Sequence, residues 1–249
     1  MSARALLAAT GLTKSFGAVV ACAGVDIALM PNQIHALIGP NGAGKTTLVS
    51  QLAGELRPDA GTVVLDGVDI THLDPVARAR AGIARSYQVS TLFDDFSAAE
   101  NVAMAIQGRQ GRAGLLTNAR RDQSLHSEAC GYLAQVGARD FANTGAATLA
   151  HGQKRQVELA MVLAMRPRVV LLDEPMAGLG RAETRAMVPL IAELGKTHGV
   201  LLVEHDMDVV FEVAGQVTVL VAGQVVASGP PAQVRADAQV RRVYLNEPE

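Results

Sequence analysis

One glycine-rich segment, Gly39–Thr47, constrains the fold of this chain more than any other stretch. It reads Gly-Pro-Asn-Gly-Ala-Gly-Lys-Thr-Thr, follows an apolar run at 34–38 and leads into a helix-compatible sequence from about Thr46. Glycines let the backbone curl closely around an anion, and the positive end of a helix dipole stabilises negative charge at the same place. A glycine, four residues and then Gly-Lys-Thr is the spacing of a phosphate-binding loop, in which Lys45 contacts the β and γ oxygens. We therefore predict a strand, a phosphate loop and a helix in that order; an ordinary glycine-rich turn is the alternative.

Composition limits the classes of protein that carry this loop. The 249 residues are enough to bury a sizeable core, and 22 Lys and Arg against 24 Asp and Glu leave the chain nearly neutral. A nucleic-acid partner is disfavoured by that balance, and so is an aromatic stacking platform, because aromatics are only 3% and Trp is absent. No apolar run reaches about 18 residues, so we expect no bilayer span and a soluble, cytoplasmic chain. The distant Cys22 and Cys130 fit reduced thiols.

The remaining pattern predicts an α/β fold with a helical insertion. Asp66-Gly67 is a hairpin turn, Asp74-Pro75 begins a helix that Gly82 closes, and Ser97 with Glu100 forms a capping box. Strands are predicted at 19–20, 25–29, 62–65, 68–70, 83–88, 169–172, 200–203, 217–221 and 224–227, and further helices at about 97–106, 125–136, 154–165, 183–194 and 231–241. Strands are absent from about residue 89 to 165, against the alternation elsewhere.

We interpret this pattern as a single domain over 1–249. Its P-loop core, which includes an N-terminal antiparallel β-subdomain, would comprise 1–88 and 166–249, and an inserted α-helical subdomain would comprise 89–165.

Two acidic residues follow a fully apolar predicted strand. Asp173 ends the run and Glu174 comes next. Ligands gather at the carboxyl ends of parallel strands, so the Asp173 carboxylate can reach Mg²⁺ beside a nearby phosphate loop. Glu174 could then polarise an attacking water. A solvated acidic turn is the alternative.

At this point the sequence resembles the ATP-binding subunit of an ABC transporter. Besides the phosphate loop and the acidic pair, Gln88, the segment 149–153 and His205 stand in that family's order and spacing over nearly the whole chain. The resemblance implies an ABC ATPase fold and hydrolysis of ATP with Mg²⁺. The residues that it implies for ATP binding are Phe16, Gly39, Pro40, Asn41, Gly42, Ala43, Gly44, Lys45, Thr46 and Thr47. The implied metal ligands are Thr46, Gln88 and Asp173. The implied catalytic residues are Glu174, His205, Gln88 and Lys45.

Three of these roles have structural alternatives. Phe16 matches the aromatic that stacks on adenine, Gln88 the glutamine that contacts Mg²⁺ and the attacking water, and His205 the histidine at the γ-phosphate. They could instead be a strand-edge core residue, an exposed amide and a structural histidine.

The family's signature, Leu-Ser-Gly-Gly-Gln, is altered here. It reads Leu149-Ala150-His151-Gly152-Gln153, so the serine hydroxyl and the first glycine are missing. In the family this segment clasps the ATP held by a partner subunit; a plain loop at a helix entry is the alternative. Because backbone N–H groups and a helix N-terminus near Gly152 survive, we expect weakened engagement of phosphate and not a dead site.

A second departure follows the acidic pair, where the family's Ser-Ala-Leu-Asp becomes Ala177-Gly178-Leu179-Gly180. The missing aspartate would loosen communication between two nucleotide sites. Together with the ending 242–245, these features resemble the ATP-binding subunits of branched-chain amino acid importers and their urea or amide relatives. Lipopolysaccharide-export ATPases, which have a similar ending, are the second candidate.

The resemblance also implies partners and a location. A second ATP-binding subunit, identical or paralogous, would complete each site. Transmembrane permease subunits would dock near 88–100, where Leu92, Phe93 and Phe96 are candidate contacts, and an extracytoplasmic solute-binding protein would act indirectly. The subunit would then be cytoplasmic and peripheral on the inner face of the membrane.

Two functions outside transport remain as alternatives. A soluble ABC protein of translation or DNA repair usually has two fused ATPase halves or a long coiled-coil insertion, and this sequence shows neither. A nucleotide-binding regulator without turnover is disfavoured by the intact Lys45, Asp173, Glu174 and His205.

Overall fold

The computed structural model describes residues 4–86, 92–111 and 122–242. The strands are β1 (Leu7–Phe16), β2 (Val19–Leu29), β3 (Gln33–Ile38), β4 (Ala60–Leu65), β5 (Val68–Asp69), β6 (Ile83–Arg85), β7 (Val169–Asp173), β8 (Gly199–Val203), β9 (Gln216–Val221) and β10 (Gln224–Gly229). The α-helices are α1 (Lys45–Ala53), α2 (Pro75–Ala81), α3 (Ala98–Arg109), α4 (Gln123–Gln135), α5 (His151–Ala164), α6 (Arg181–Leu194), α7 (Met207–Val213), α8 (Pro231–Ala236) and α9 (Ala238–Val240). Short 3₁₀ turns cover Arg139–Phe141 and Ala146–Thr148. The predicted α/β class is confirmed.

The larger sheet has the strand order β10-β9-β3-β8-β7-β6. Strands β9, β3, β8, β7 and β6 are parallel, and β10 pairs antiparallel with β9. The aliphatic runs of β7 and β8 are buried along their whole length, as expected for parallel strands covered on both faces. Alternate residues divide between two cores: Leu171 packs on the side of α1, and Leu172 on the side of α3 and α5.

The smaller sheet is antiparallel, with the order β2-β1-β4-β5. Strand β1 was missed from the sequence because Gly11 and polar residues interrupt its apolar alternation, although Leu7 and Leu12 are buried. The predicted gap between the strands at 19–20 and 25–29 was wrong, since β2 is continuous from Val19 to Leu29. Asp26 lies on the exposed side of the strand and accepts the N–H of Gly11 at 2.6 Å.

The predicted helix starts at Ser97 and Asp74 are confirmed. The Ser97 hydroxyl accepts the N–H of Glu100 at 3.2 Å, and the Glu100 carboxylate accepts the N–H of Ser97 at 2.7 Å. Asp74 accepts the N–H of Ala77 at 2.8 Å. Helices α3, α4 and α5 pack against one another and share one core. The exact bounds of a helical subdomain at 89–165 stay a prediction.

Several helix limits differ from the sequence pattern. Helix α5 begins at His151, not Lys154, because Gln153 caps the N–H of Ala150 at 2.9 Å and so allows a first turn despite the glycine. Helix α7 was not predicted. The single terminal helix was wrong: Asp237 separates α8 from α9, accepting N–H bonds from the start of α9.

Two further sequence expectations concern the membrane and the thiols. Within the described ranges, no helix combines the length and apolar character needed to cross a bilayer. Cys22 and Cys130, which both lie in those ranges, are free thiols.

Candidate active site

The carboxyl edge of the parallel sheet brings together most of the sequence-predicted residues. The phosphate loop follows β3, Asp173 ends β7 with Glu174 after it, and His205 stands two residues beyond β8. Because β3, β8 and β7 are adjacent and parallel, these segments emerge side by side. Ligands bind at this edge in open α/β sheets.

The phosphate loop has the conformation that its glycines permit. Gly42 and Gly44 have φ values of 79° and 102°, in the left-handed region. A Cβ at Gly44 would collide with the carbonyl oxygen of Ala21, so only glycine fits there. Gly44 is also the N-cap of α1 and has no side chain that could occupy the N–H groups of the first turn. These groups and the helix dipole suit an anion.

The Lys45 ammonium lies inside the curl of this loop. Its Nζ donates to the carbonyl oxygens of Gly39 at 2.6 Å and Pro40 at 3.1 Å. Burial lowers the pKa of Lys45, while the negative charges of Glu174 and Asp173 act in the opposite direction. The phosphate loop and the acidic pair are therefore within electrostatic reach of each other.

The buried Asp173 carboxylate is paired with an arginine that the sequence did not single out. Arg85 Nη2 lies 2.7 Å from Asp173 Oδ2, and both side chains are less than a tenth exposed. Arg85 also donates to Ser50 Oγ at 2.9 Å and pairs with Glu55. Arg85 ends β6 at the same edge of the sheet, whereas the predicted strand ran on to residue 88 and placed Arg85 in its interior.

Glu174 has an unusual backbone conformation. Its φ is 49°, in the left-handed region that non-glycine residues seldom adopt. Its N–H donates to the carbonyl of Val203 at 2.9 Å, and its own carbonyl accepts the N–H of Ala177 at 3.0 Å. A tight turn anchored on β8 therefore presents the Glu174 side chain.

The exposed His205 follows a buried acid that sequence reasoning also missed. Glu204 is 1% exposed, and burial raises its pKa. Its Oε1 accepts the N–H of Met176 at 3.0 Å and its Oε2 the N–H of His205 at 3.2 Å. An acid immediately after a buried parallel strand was the signal available in the sequence.

The altered signature contacts the other altered segment. His151 Nε2 lies 3.2 Å from the carbonyl oxygen of Ala177, to which it donates, and a Cβ at Gly178 would meet the same nitrogen at 3.1 Å. Glu183 accepts the N–H of Gly152 at 3.2 Å and that of Gly180 at 2.9 Å. One carboxylate thus joins the beginnings of α5 and α6. Leu149 is buried, while Ala150 and His151 are exposed.

Phe16, the aromatic predicted to stack on adenine, lies in the smaller sheet. Phe16 ends β1 with its side chain 51% exposed, and Lys14 Nζ lies 5.9 Å from its ring centre. An exposed aromatic beside the chain reversal at 17–18 has a face available for a planar ligand. Gln88 lies outside the described residues.

Comparisons with known proteins agree with this geometry. The ABC transporter family model matches residues 22–177, and the model described as branched-chain amino acid ATP-binding cassette transporter matches residues 224–245. The high-affinity branched-chain amino acid transport ATP-binding protein BraF of Pseudomonas aeruginosa is 38% identical over 98% of this chain and 99% of its own length. The corresponding LivG protein of Escherichia coli K12 is 36% identical over 97% and 98%.

Solved structures give the same result. A nucleotide-free ATP-binding cassette from an ABC transporter superposes with a TM-score of 0.86 at 25% identity, covering 98% of this chain and all of that one. Another cassette of an ABC transporter, in its ADP conformation, gives 0.85 at 26% identity with the same coverage. The chain therefore belongs to the ABC transporter family, as an ATP-binding subunit and an ATPase coupled to transport.

Proposed function

We propose that this chain powers the import of branched-chain amino acids, or of urea or amide solutes, by hydrolysing ATP at a dimer interface. The observation that carries the ATPase role is the convergence of Lys45, Asp173, Glu174 and His205 at one edge of the sheet. The solute class is supported by the full-length similarity to BraF and LivG and by the match over residues 224–245.

The residues fit a nucleotide with Mg²⁺. Backbone N–H groups of the phosphate loop and the Lys45 ammonium would bind the β and γ phosphates, and Phe16 would stack on the base. Mg²⁺ is commonly bound by one or two carboxylates together with phosphates and water, and the carboxylate of Asp173, the hydroxyl of Thr46 and the amide of Gln88 would supply its protein oxygens. When bound, the ion would neutralise developing charge.

Glu174 and His205 would act at the γ-phosphate. Glu174 would orient and activate the attacking water, and the exposed His205 would steady the transferred group. Lys45 would stabilise negative charge through the reaction. Each of these groups emerges beside the phosphate loop, so one nucleotide could contact them together.

The signature would act on the nucleotide of a second subunit, identical or paralogous. Among the described residues, His151 donates to the carbonyl of Ala177 and Gly152 donates to Glu183. Helix α5 would therefore present Ala150, His151, Gly152 and Gln153 to the ATP held by the partner. We place the signature in a helical subdomain at 89–165 and the phosphate loop in the core formed by 1–88 and 166–249.

Transmembrane permease subunits would dock near residues 88–100. Phe93 is 52% exposed there, and its ring lies 5.6 Å from that of Phe96, so Phe96 is partly engaged in local packing. An extracytoplasmic solute-binding protein would act only through the permease. We place the subunit in the cytoplasm, on the inner face of the membrane.

The test of the ATPase role compares the wild type with Glu174→Gln. We expect the wild type to hydrolyse ATP, and the variant to bind ATP and elute as a dimer in its presence with almost no turnover. Glu193→Gln is a matched control, since Glu193 is exposed on α6 and paired with Lys196. Normal hydrolysis by Glu174→Gln would overturn the assignment. A wild type that neither hydrolyses nor dimerises alone would require a paralogous partner.

The test of the solute class is uptake by cells that lack this gene. We expect uptake of labelled leucine or urea to fall, to return with the wild-type gene and not to return with Glu174→Gln. Unchanged uptake of both solutes, with a defect in lipopolysaccharide export, would favour the exporter alternative.

A further inference from the structure

We propose that Glu204 is a positioning residue that joins the turn carrying Glu174 to the segment carrying His205, and so holds both side chains in register at the γ-phosphate. The inference rests on the proposed ATPase function and adds to it a residue that never touches the nucleotide. Glu204 is buried and has no role of its own in the hydrolysis steps proposed for Lys45, Glu174 and His205.

The geometry of Glu204 is that of a bridge between two loops. It stands immediately after β8 and is 1% exposed. One carboxylate oxygen accepts the N–H of Met176, in the turn after β7, and the other accepts the N–H of His205. Because a carboxylate has two acceptor oxygens and no donor, it can serve two N–H groups that arrive from different segments.

The turn after β7 needs such a restraint. Glu174 holds a left-handed backbone, which is intrinsically unfavourable for a residue with a side chain and persists only where neighbouring contacts impose it. The end of β8 contributes the carbonyl of Val203, which accepts the N–H of Glu174, and the next residue contributes the carboxylate of Glu204, which accepts the N–H of Met176. Loss of the second contact would let the turn relax and would redirect the Glu174 side chain.

The chemistry of the side chain explains why an acid stands there in spite of its burial. A glutamine in the same place would offer one oxygen, and its NH₂ group would face one of the N–H donors. Glu204→Gln should therefore keep one of the two links and Glu204→Ala neither. The burial that raises the pKa of Glu204 shows that this position is unfavourable for a charge. The two N–H donors offset that cost.

The test measures turnover for each bound ATP in Glu204→Gln and Glu204→Ala. Small displacements of catalytic groups cost up to about 100-fold, so we expect kcat to fall about 10-fold in the first variant and about 100-fold in the second. The KM for ATP and ATP-dependent dimerisation should change little. Normalising to bound ATP removes any loss of folded protein.

Two comparisons separate positioning from general stability. Glu158→Gln is the matched control, because Glu158 is also buried, at 8% exposure, but pairs with Arg155 on α5. We expect its turnover for each bound ATP to stay normal. In a Glu174→Gln background, Glu204→Gln should lower the residual turnover by a smaller factor than in wild type, because the part of its effect that acts through Glu174 is already lost.

A measurement without turnover keeps the proposal testable if the isolated chain is inactive. Amide hydrogen exchange in a peptide spanning 174–179 should be faster in Glu204→Ala than in wild type, while peptides from α4 remain unchanged. Wild-type turnover in Glu204→Ala, or unchanged exchange in 174–179, would overturn the positioning role. An inactive wild type with faster exchange in Glu204→Ala would overturn only the proposed ATPase activity of the isolated chain.

Discussion

Mild acid should destabilise the folded chain through one buried histidine. His35 lies on β3 with 3% of its surface exposed. Its Nδ1 donates to the carbonyl of Ala28 at 3.0 Å, so its Nε2 accepts from the Thr218 hydroxyl at 2.7 Å. This arrangement satisfies a neutral ring, and a protonated ring would be a charge in the core.

The size of the effect follows from the pKa of this ring. Burial lowers the pKa of His35 from its ordinary 6.5 to about 4, although the hydrogen bond to Ala28 acts in the opposite direction. Between these values the unfolded chain binds more protons than the folded chain, so stability rises with pH. The stabilisation that comes from the neutral His35 ring is fully present above the pKa of histidine in the unfolded chain. It is lost as the pH falls through the pKa of His35 in the folded chain. The stabilisation amounts to about 3 kcal/mol in full, of which about 2 kcal/mol is lost between about pH 7.5 and pH 5.

The assay is urea unfolding followed by circular dichroism, because the chain has no Trp for fluorescence. His35→Gln removes the titrating ring. Between about pH 7.5 and pH 5, the wild type should therefore lose about 2 kcal/mol more unfolding free energy than the His35→Gln variant loses. His72→Gln, at an exposed histidine, is the control and should follow the wild type. Equal pH dependence in wild type and His35→Gln would refute the reasoning.

Two further predictions concern the first turns and last turns of helices near the site. The Arg78 guanidinium holds the end of α1, because it donates to the backbone carbonyls of Gln51, Leu52, Thr71 and Leu73. Arg78→Met should lower the free energy of unfolding in urea by about 3–5 kcal/mol. The control Arg80→Met, on the exposed face of α2, should lower it by less than about 0.5 kcal/mol. Glu183→Ala removes the carboxylate that accepts the N–H groups of Gly152 and Gly180, and it should lower the free energy of unfolding by about 1–2 kcal/mol. Glu193→Ala is the control, and equal stability of the two variants would contradict a capping role for Glu183.

The sequence was most informative where a function depends on neighbours along the chain. The phosphate loop and the pair Asp173-Glu174 are continuous segments with characteristic residue types, and their surrounding strands are long aliphatic runs. The capping box of Ser97 and Glu100 and the Asp66-Gly67 hairpin are similarly local. For this reason the fold class and the main acidic and basic groups of the candidate site could be predicted without a structure.

The sequence was least informative where a role depends on distant partners. Arg85 and Asp173 are separated by 88 residues and Glu204 and Met176 by 28, so no local pattern records that they meet. Strand β1 was not predicted for a related reason. It pairs with β2 and β4 although its apolar residues do not alternate regularly with polar ones. The missing information in each case is long-range pairing.

The two departures from the family's motifs are a single structural feature. His151 replaces the first glycine of the signature and donates to the carbonyl of Ala177, next to the glycine that stands where the family has alanine. A residue with a side chain at position 178 would contact the His151 ring closely and would have to adopt a φ of 77°. Glycine at 178 therefore leaves room for the histidine at 151. The start of α5 is further fixed by Glu183. The lost serine hydroxyl is therefore accompanied by a hydrogen bond between the signature and the segment after Glu174.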